Sequence, residues 1–226
     1  MGLFGGVKTK DINHQEVIEK LVRDSSPRKT FLIMIVISSF IGALGLLNDS
    51  ASIVIGAMLV APLLWPVLGI SMGILVRDWR MIKLAMISIG LSVILSVVVA
   101  IAVTSTYVPI GASHEILIQT SLSFMAPIAI AAGVAAAMAI SFESIKEAVS
   151  GIAISVALIP PIVTVGIGLG GSDWDLMRRA AELFGINLLA IIVTSYLVFS
   201  VLGFKNYKRV VDAAVKREER VLKSKK

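Results

Sequence analysis

Long apolar stretches separated by short polar connections fill the chain between residues 30 and 203. Six of them, near 30–47, 51–76, 82–108, 124–142, 148–170 and 182–203, reach the length of about 17–25 residues that a helix needs to cross hydrocarbon. The two ends follow another rule. Between Asp11 and Arg23, the residues Ile12, Val17, Ile18, Leu21 and Val22 recur at helical spacing opposite acids and bases. The tail Tyr207–Lys226 does the same with Val210, Val211, Val215 and Val221. The pattern predicts an all-α integral membrane protein with an amphipathic helix at each end. Such ends lie on an anionic inner leaflet or pack between subunits, and the second could also continue the last span as a solvated tail.

The apolar region also repeats itself. At a constant offset of 95 residues, Val54, Gly56, Leu63, Pro66 and Gly73 meet Val149, Gly151, Leu158, Pro161 and Gly168. The pair Asp78-Trp79 meets Asp173-Trp174, and Gly90 meets Gly185. Each copy holds an odd number of spans, so the second is inverted relative to the first, as in many transporters and channels. The expected organisation is a cytoplasmic amphipathic helix (1–29), a three-helix repeat (30–108), an outer connector (109–123), an inverted three-helix repeat (124–203) and a basic cytoplasmic tail helix (204–226).

Composition agrees with the bilayer. The chain is 57% hydrophobic with only 16% charged residues, and its mean hydropathy is +0.92. No early apolar core of a cleavable signal peptide stands in residues 1–29. Cysteine is absent, which removes disulfides and thiolate metal sites. The net charge of +6 invites nucleic acid, but its distribution points elsewhere. With the N-terminus inside, all basic residues except Arg178 and Arg179 fall on the cytoplasmic side, predicting a multi-pass protein of the cell membrane with both termini cytoplasmic. No Walker loop, HExxH or nucleophile–base–acid set is present, so neither catalysis nor a cofactor or metal is expected.

Candidate chemistry centres on proline. The second span carries Pro62 and Pro66 near its middle, and the fifth carries Pro160 and Pro161. Each proline removes an N–H and clashes with the carbonyl four residues back, so two together predict a helix unwound by about a turn. Hydrocarbon cannot satisfy the groups so freed, and they must face protein, water or a ligand. A half-helix starting after each break would offer its positive end to an anion, while loose carbonyls would suit a cation. Prolines that merely kink helices for packing are the plain alternative. Backbone near Trp65, Gly69, Ser71 and Thr164 would contact a solute, and Asn187 either lines the same pathway or bridges helices.

Other polar residues read more conservatively. Asn48, Asp49 and Ser50 cap the second span or admit cations at the outer face. Glu143 and Glu147 flank Lys146 in an inner loop. Glu182 begins the sixth span one turn after Arg178 and Arg179, as an interfacial ion pair or a gate. Ser88, Ser92 and Ser96 form one stripe at i, i+4, i+8, and Ala131 to Ala137 around Gly133 make the fourth span slim, both suited to close packing. Trp79 and Trp174 read as interfacial anchors.

The run Asn48-Asp49-Ser50-Ala51-Ser52-Ile53-Val54-Ile55-Gly56-Ala57-Met58-Leu59-Val60-Ala61-Pro62-Leu63 resembles the hydrophobic membrane proteins grouped as domain of unknown function 389. So does Gly151-Ile152-Ala153-Ile154-Ser155-Val156-Ala157-Leu158-Ile159-Pro160-Pro161, followed by Asn187-Leu188. The resemblance covers about residues 30–203 and implies the membrane fold and the weight of both proline motifs, but no substrate. The function expected from the residues is a transporter or channel for an ion or small polar solute, with its pathway where the two broken helices cross. Six slim spans enclose little space, so a homo-oligomer such as a trimer is expected. The alternative is a non-transporting scaffold or sensor acting through the amphipathic ends.

Overall fold

A computed structural model of the chain describes residues 12–107, 122–142 and 158–224. Among these the fold is entirely helical: α1 (His14–Asp24), α2 (Lys29–Leu47), α3 (Ala51–Val60), α4 (Leu64–Val76), α5 (Trp79–Tyr107), α6 (Leu122–Ser141), α7 (Ile159–Gly170), α8 (Trp174–Val201), a 3-10 turn (Phe204–Tyr207) and α9 (Lys208–Ser224). Three helices among the described residues, α2, α5 and α8, are long and apolar enough to cross a membrane. A fourth crossing is formed if α3 and α4, bent by 51° at their break, count as one span. The apolar helices α7 and the stretch of α6 from Pro127 onward are shorter. The first part of the fifth expected span (148–157), most of the connector (109–121) and Glu143 lie outside the described residues.

Two expected boundaries move. The third span starts at Trp79 rather than 82, and the sixth at Trp174 rather than 182. Hydropathy ends a span at its charged turn, but the backbone stays helical back to its cap. Asp78 and Asp173 supply those caps, their carboxylates accepting the N–H of Met81 at 3.0 Å and of Leu176 at 2.9 Å.

These caps belong to a corner that occurs twice. α4 ends with Arg77 in the left-handed region (φ 55°), and α7 is followed by Ser172 at φ 60°. The Asp78 N–H returns to the Gly73 carbonyl at 2.9 Å, and the Asp173 N–H to the Gly168 carbonyl at 2.8 Å. A Cβ on Gly73 would meet Ile82, and one on Gly168 would meet Met177 and Asp173. Every one of these pairs keeps the same offset. Trp79 and Trp174 follow each corner with side chains largely exposed.

α4 packs on α5 and α8, while α7 packs on α8 and α5; α2 packs on α5, and α6 on α8. The slim α6 sits so close that a Cβ on Gly133 would collide with Thr194. Apolar side chains such as Ile33, Phe40, Ile94, Val98, Leu189 and Leu197 face outward, an arrangement suited to lipid and costly in water.

The amphipathic ends neither lie apart nor trail from the last span. α1 and α9 pack on each other, burying Ile18, Leu21, Val211 and Val215. Gly203 (φ 84°) and the 3-10 turn redirect the chain after α8, and the His14 ring stacks on Tyr207. At the start of α2, Arg28 Nε donates to buried Glu218 of α9 at 2.7 Å, and this hydrogen bond raises the guanidinium above its ordinary pKa. On the exposed side, a hydrogen bond from Lys216 holds the Asp212 carboxyl below its usual value. That contact is present at neutral pH and is lost as pH falls through the lowered value. Glu218→Ala should therefore lower stability by about 2 kcal/mol, because Arg28 loses its charge-assisted partner. Lys216→Ala should lower it far less, because that pair is exposed to solvent. Thermal melts of the two variants in detergent check the order.

Candidate functional site

The break between α3 and α4 is built by one proline. Pro62 sits half-buried in it and, having no N–H, leaves the Met58 carbonyl without its helical partner. Just before the break, the Ala57 carbonyl accepts both the Ala61 N–H at 3.2 Å and the Ser38 hydroxyl at 2.7 Å. A side chain of α2 thus satisfies the backbone where α3 stops.

The other three prolines do something else. Pro66 is the third residue of α4, and Pro160 and Pro161 are the second and third of α7. In a first turn the missing N–H has no intrahelical partner to lose. They open the helices that begin at Leu64 and Ile159, and residues 148–157 ahead of α7 lie outside the described residues. Among the described residues, neither α4 nor α7 has a side-chain N-cap.

The expected solute contacts are filled by the chain itself. Trp65 is half-buried, its carbonyl accepting from Ser25 Oγ at 2.7 Å and its ring lying under Lys20 Nζ at 5.0 Å. A Cβ on Gly69 would stand 2.6 Å from Ser25 Oγ, so this glycine admits the turn after α1 against α4. Ser71 is buried and donates to the Ile192 carbonyl of α8 at 3.1 Å. At the matching place in the second half, Gly166 approaches the Val97 carbonyl of α5. Thr164, fully buried, turns back to the Pro160 carbonyl at 2.8 Å. Asn187 is buried on α8. These residues are spread over two crossings, α4 with α8 and α5 with α7, and both are packed shut. α7 starts against the end of α3, where Gly42 of α2 lies close to Ala57, Ile159 and Val163.

The peripheral candidates separate. Asn48 is exposed and caps α2 by donating to the Leu44 carbonyl at 2.7 Å, whereas Ser50 makes no side-chain cap for α3. The capping expected at the start of the second span therefore serves the end of the first. Asp49 next to it adopts φ 50°. Glu182 is exposed and pairs with Arg178 at 3.2 Å, the surface ion pair of the plain reading. Glu143 lies outside the described residues.

Hydroxyls missed in the sequence hold the site together. Ser88 donates to the Ser25 carbonyl at 2.6 Å, and Ser39 and Ser96 bond to each other at 2.7 Å. The Ser88–Ser92–Ser96 stripe gave half of this ladder. Its partners Ser25 and Ser39 carry no local signal beyond being serines beside apolar runs.

The family described as domain of unknown function 389 matches residues 58–193. An uncharacterised protein of Methanocaldococcus jannaschii is 28% identical over 182 residues, covering 80% of this chain and 56% of that protein. The chain thus spans a little over half the length of that curated relative. No solved structure matches.

Proposed function

The chain belongs to the domain of unknown function 389 family, and we propose that it is a membrane transporter or channel for an ion or small polar solute. The observation that carries this reading is the Pro62 break between two apolar helices, which leaves the Met58 carbonyl without its helical partner. The proposed architecture is six spans in two inverted repeats. Its support is the corner at Gly73–Asp78 reproduced at Gly168–Asp173, with α4 on α8 answered by α7 on α5. Packing of α1 on α9 supports an even number of crossings, and the distribution of basic residues supports a cytoplasmic location for both ends of a cell-membrane protein. The closed packing around Ser71 and Gly166 is then an occluded state, opened by sliding of α4 and α7 or by assembly as a homo-oligomer such as a trimer. No catalysis, metal or nucleic acid enters the proposal. The M. jannaschii relative is longer than this chain.

Proteoliposomes containing the purified chain, screened for current and flux of monovalent ions, divalent ions, protons and small carboxylates, test it. A saturable flux is expected. Silence from folded, inserted protein across the panel would remove transport and leave a scaffold or sensor, a reading favoured by the mutual packing of the terminal helices.

A further inference from the structure

The pairing of α1 with α9 leaves a cleft of about 670 Å³ between them, outside the apolar bundle. That volume falls within the range of about 300–1,000 Å³ usual for small-molecule sites. Its charged lining is Arg23, Arg28, Arg209 and Arg217 against Glu19 and Glu218, an excess of two positive charges. The charges are not equivalent. Arg28 is held by Glu218, and Arg23 pairs with Asp24 at 3.0 Å. Among the described residues Arg209 and Arg217 form no ion pair or hydrogen bond with the protein. They stand eight residues apart on one face of α9, about 12 Å along the axis, with Ala213 between them on the cleft floor. The floor also includes Val22, Val210 and Val221.

We propose that this cleft binds a phosphate-bearing anion, with Arg209 and Arg217 on the phosphates and the apolar floor under the rest of the molecule. Guanidinium groups suit the site because each presents planar, paired donors that match phosphate oxygens, and they keep their charge at any physiological pH. Glu218 does not oppose the anion, since Arg28 already neutralises it. Glu19 faces the same cleft and repels carboxylate and phosphate alike, so binding rests on Arg209 and Arg217 outweighing it. Two sources share this chemistry, a soluble nucleotide and the headgroup of a phospholipid. Because the site joins α1 to α9, its occupant cross-links the two ends of the chain. Nothing in this assignment depends on the transport reading.

The test uses the full chain in phosphatidylcholine nanodiscs, titrated calorimetrically with ADP and, separately, with dioctanoyl phosphatidic acid. Saturable binding of either probe is expected, and whichever binds names the source. Arg209→Gln with Arg217→Gln should weaken binding by at least about tenfold, the loss of one strong charge-assisted contact. Lys205→Gln with Lys208→Gln removes the same charge from the same end of the chain outside the cleft and should leave affinity within about twofold. Should the arginine variant misfold, Ala214→Trp fills the floor while keeping every charge, and hydrogen exchange on the unaltered chain reads protection of residues 15–28 and 209–221 directly. No binding by either probe, equal weakening by both charge variants, or protection elsewhere overturns the assignment.

Discussion

Gly166→Leu is expected to separate α7 from α5 and to lower the stability of the folded chain by about 3 kcal/mol. A bare Cβ at this position would stand 2.5 Å from the Ala100 Cβ and 2.7 Å from the Val97 carbonyl oxygen. The carbonyl belongs to helical backbone and cannot turn away, so the whole crossing must open. Overpacking of a close helix contact costs about 1–3 kcal/mol, and leucine adds further atoms beyond the one that already collides. Gly168→Ala should behave in the same direction but less severely, since its Cβ meets the Met177 nitrogen at 2.8 Å and the Asp173 oxygen at 2.9 Å. Gly73→Ala, at the matching corner, should be milder still. Its nearest obstacle is the Ile82 side chain at 2.7 Å, with backbone no closer than 3.2 Å. Gly90→Ala and Gly185→Ala meet nothing within 4 Å. They should be neutral or stabilising by about 0.5–1 kcal/mol, because alanine is the better helix former. Thermal melts of the series in one detergent check the ranking. A Gly166→Leu melt close to that of the parent chain would mean that α5 and α7 do not cross as described.

That ranking also shows what the sequence could and could not disclose. The glycines aligned across the two halves announce a repeat, but Gly90 and Gly185 align as well as Gly73 and Gly168 do and leave open space where a side chain would stand. Alignment marks equivalence, and only the packing tells which equivalent positions are under constraint. The helices α2, α5 and α8 were legible because an apolar run of membrane length leaves a helix few alternatives. The Asp-Trp pair was legible as a feature shared by the two halves. The left-handed Arg77 and Ser172 beside it were not, since neither is a residue type enriched there. Ser25 was invisible for another reason. Its partners Trp65 and Ser88 lie 40 and 63 positions away, and no local pattern encodes such a contact.

Pro62→Ala is the variant with the largest expected effect on function, and Pro66→Ala its control. Alanine at 62 returns an N–H to the place where the Met58 carbonyl lacks one, removes the ring clash, and lets α3 run on through residues 61–63 into α4. The bend of 51° should shrink, and spin labels placed near Ser52 and Ile74 should report the longer separation of a straighter pair. Flux should fall by about tenfold or more, because the polar groups exposed by the break become internally bonded; a factor of ten is about 1.4 kcal/mol on the barrier. Pro66 lies in a first turn whose N–H needs no partner, so Pro66→Ala should leave both the bend and the flux near those of the parent. Pro160→Ala and Pro161→Ala should resemble Pro66→Ala for the same reason. The asymmetry is the informative part. If the proline motifs acted only as a matched pair, Pro66 and Pro161 would be as sensitive as Pro62. If the break served packing alone, Pro62→Ala would shift the spin-label distance and the melting temperature while flux stayed unchanged.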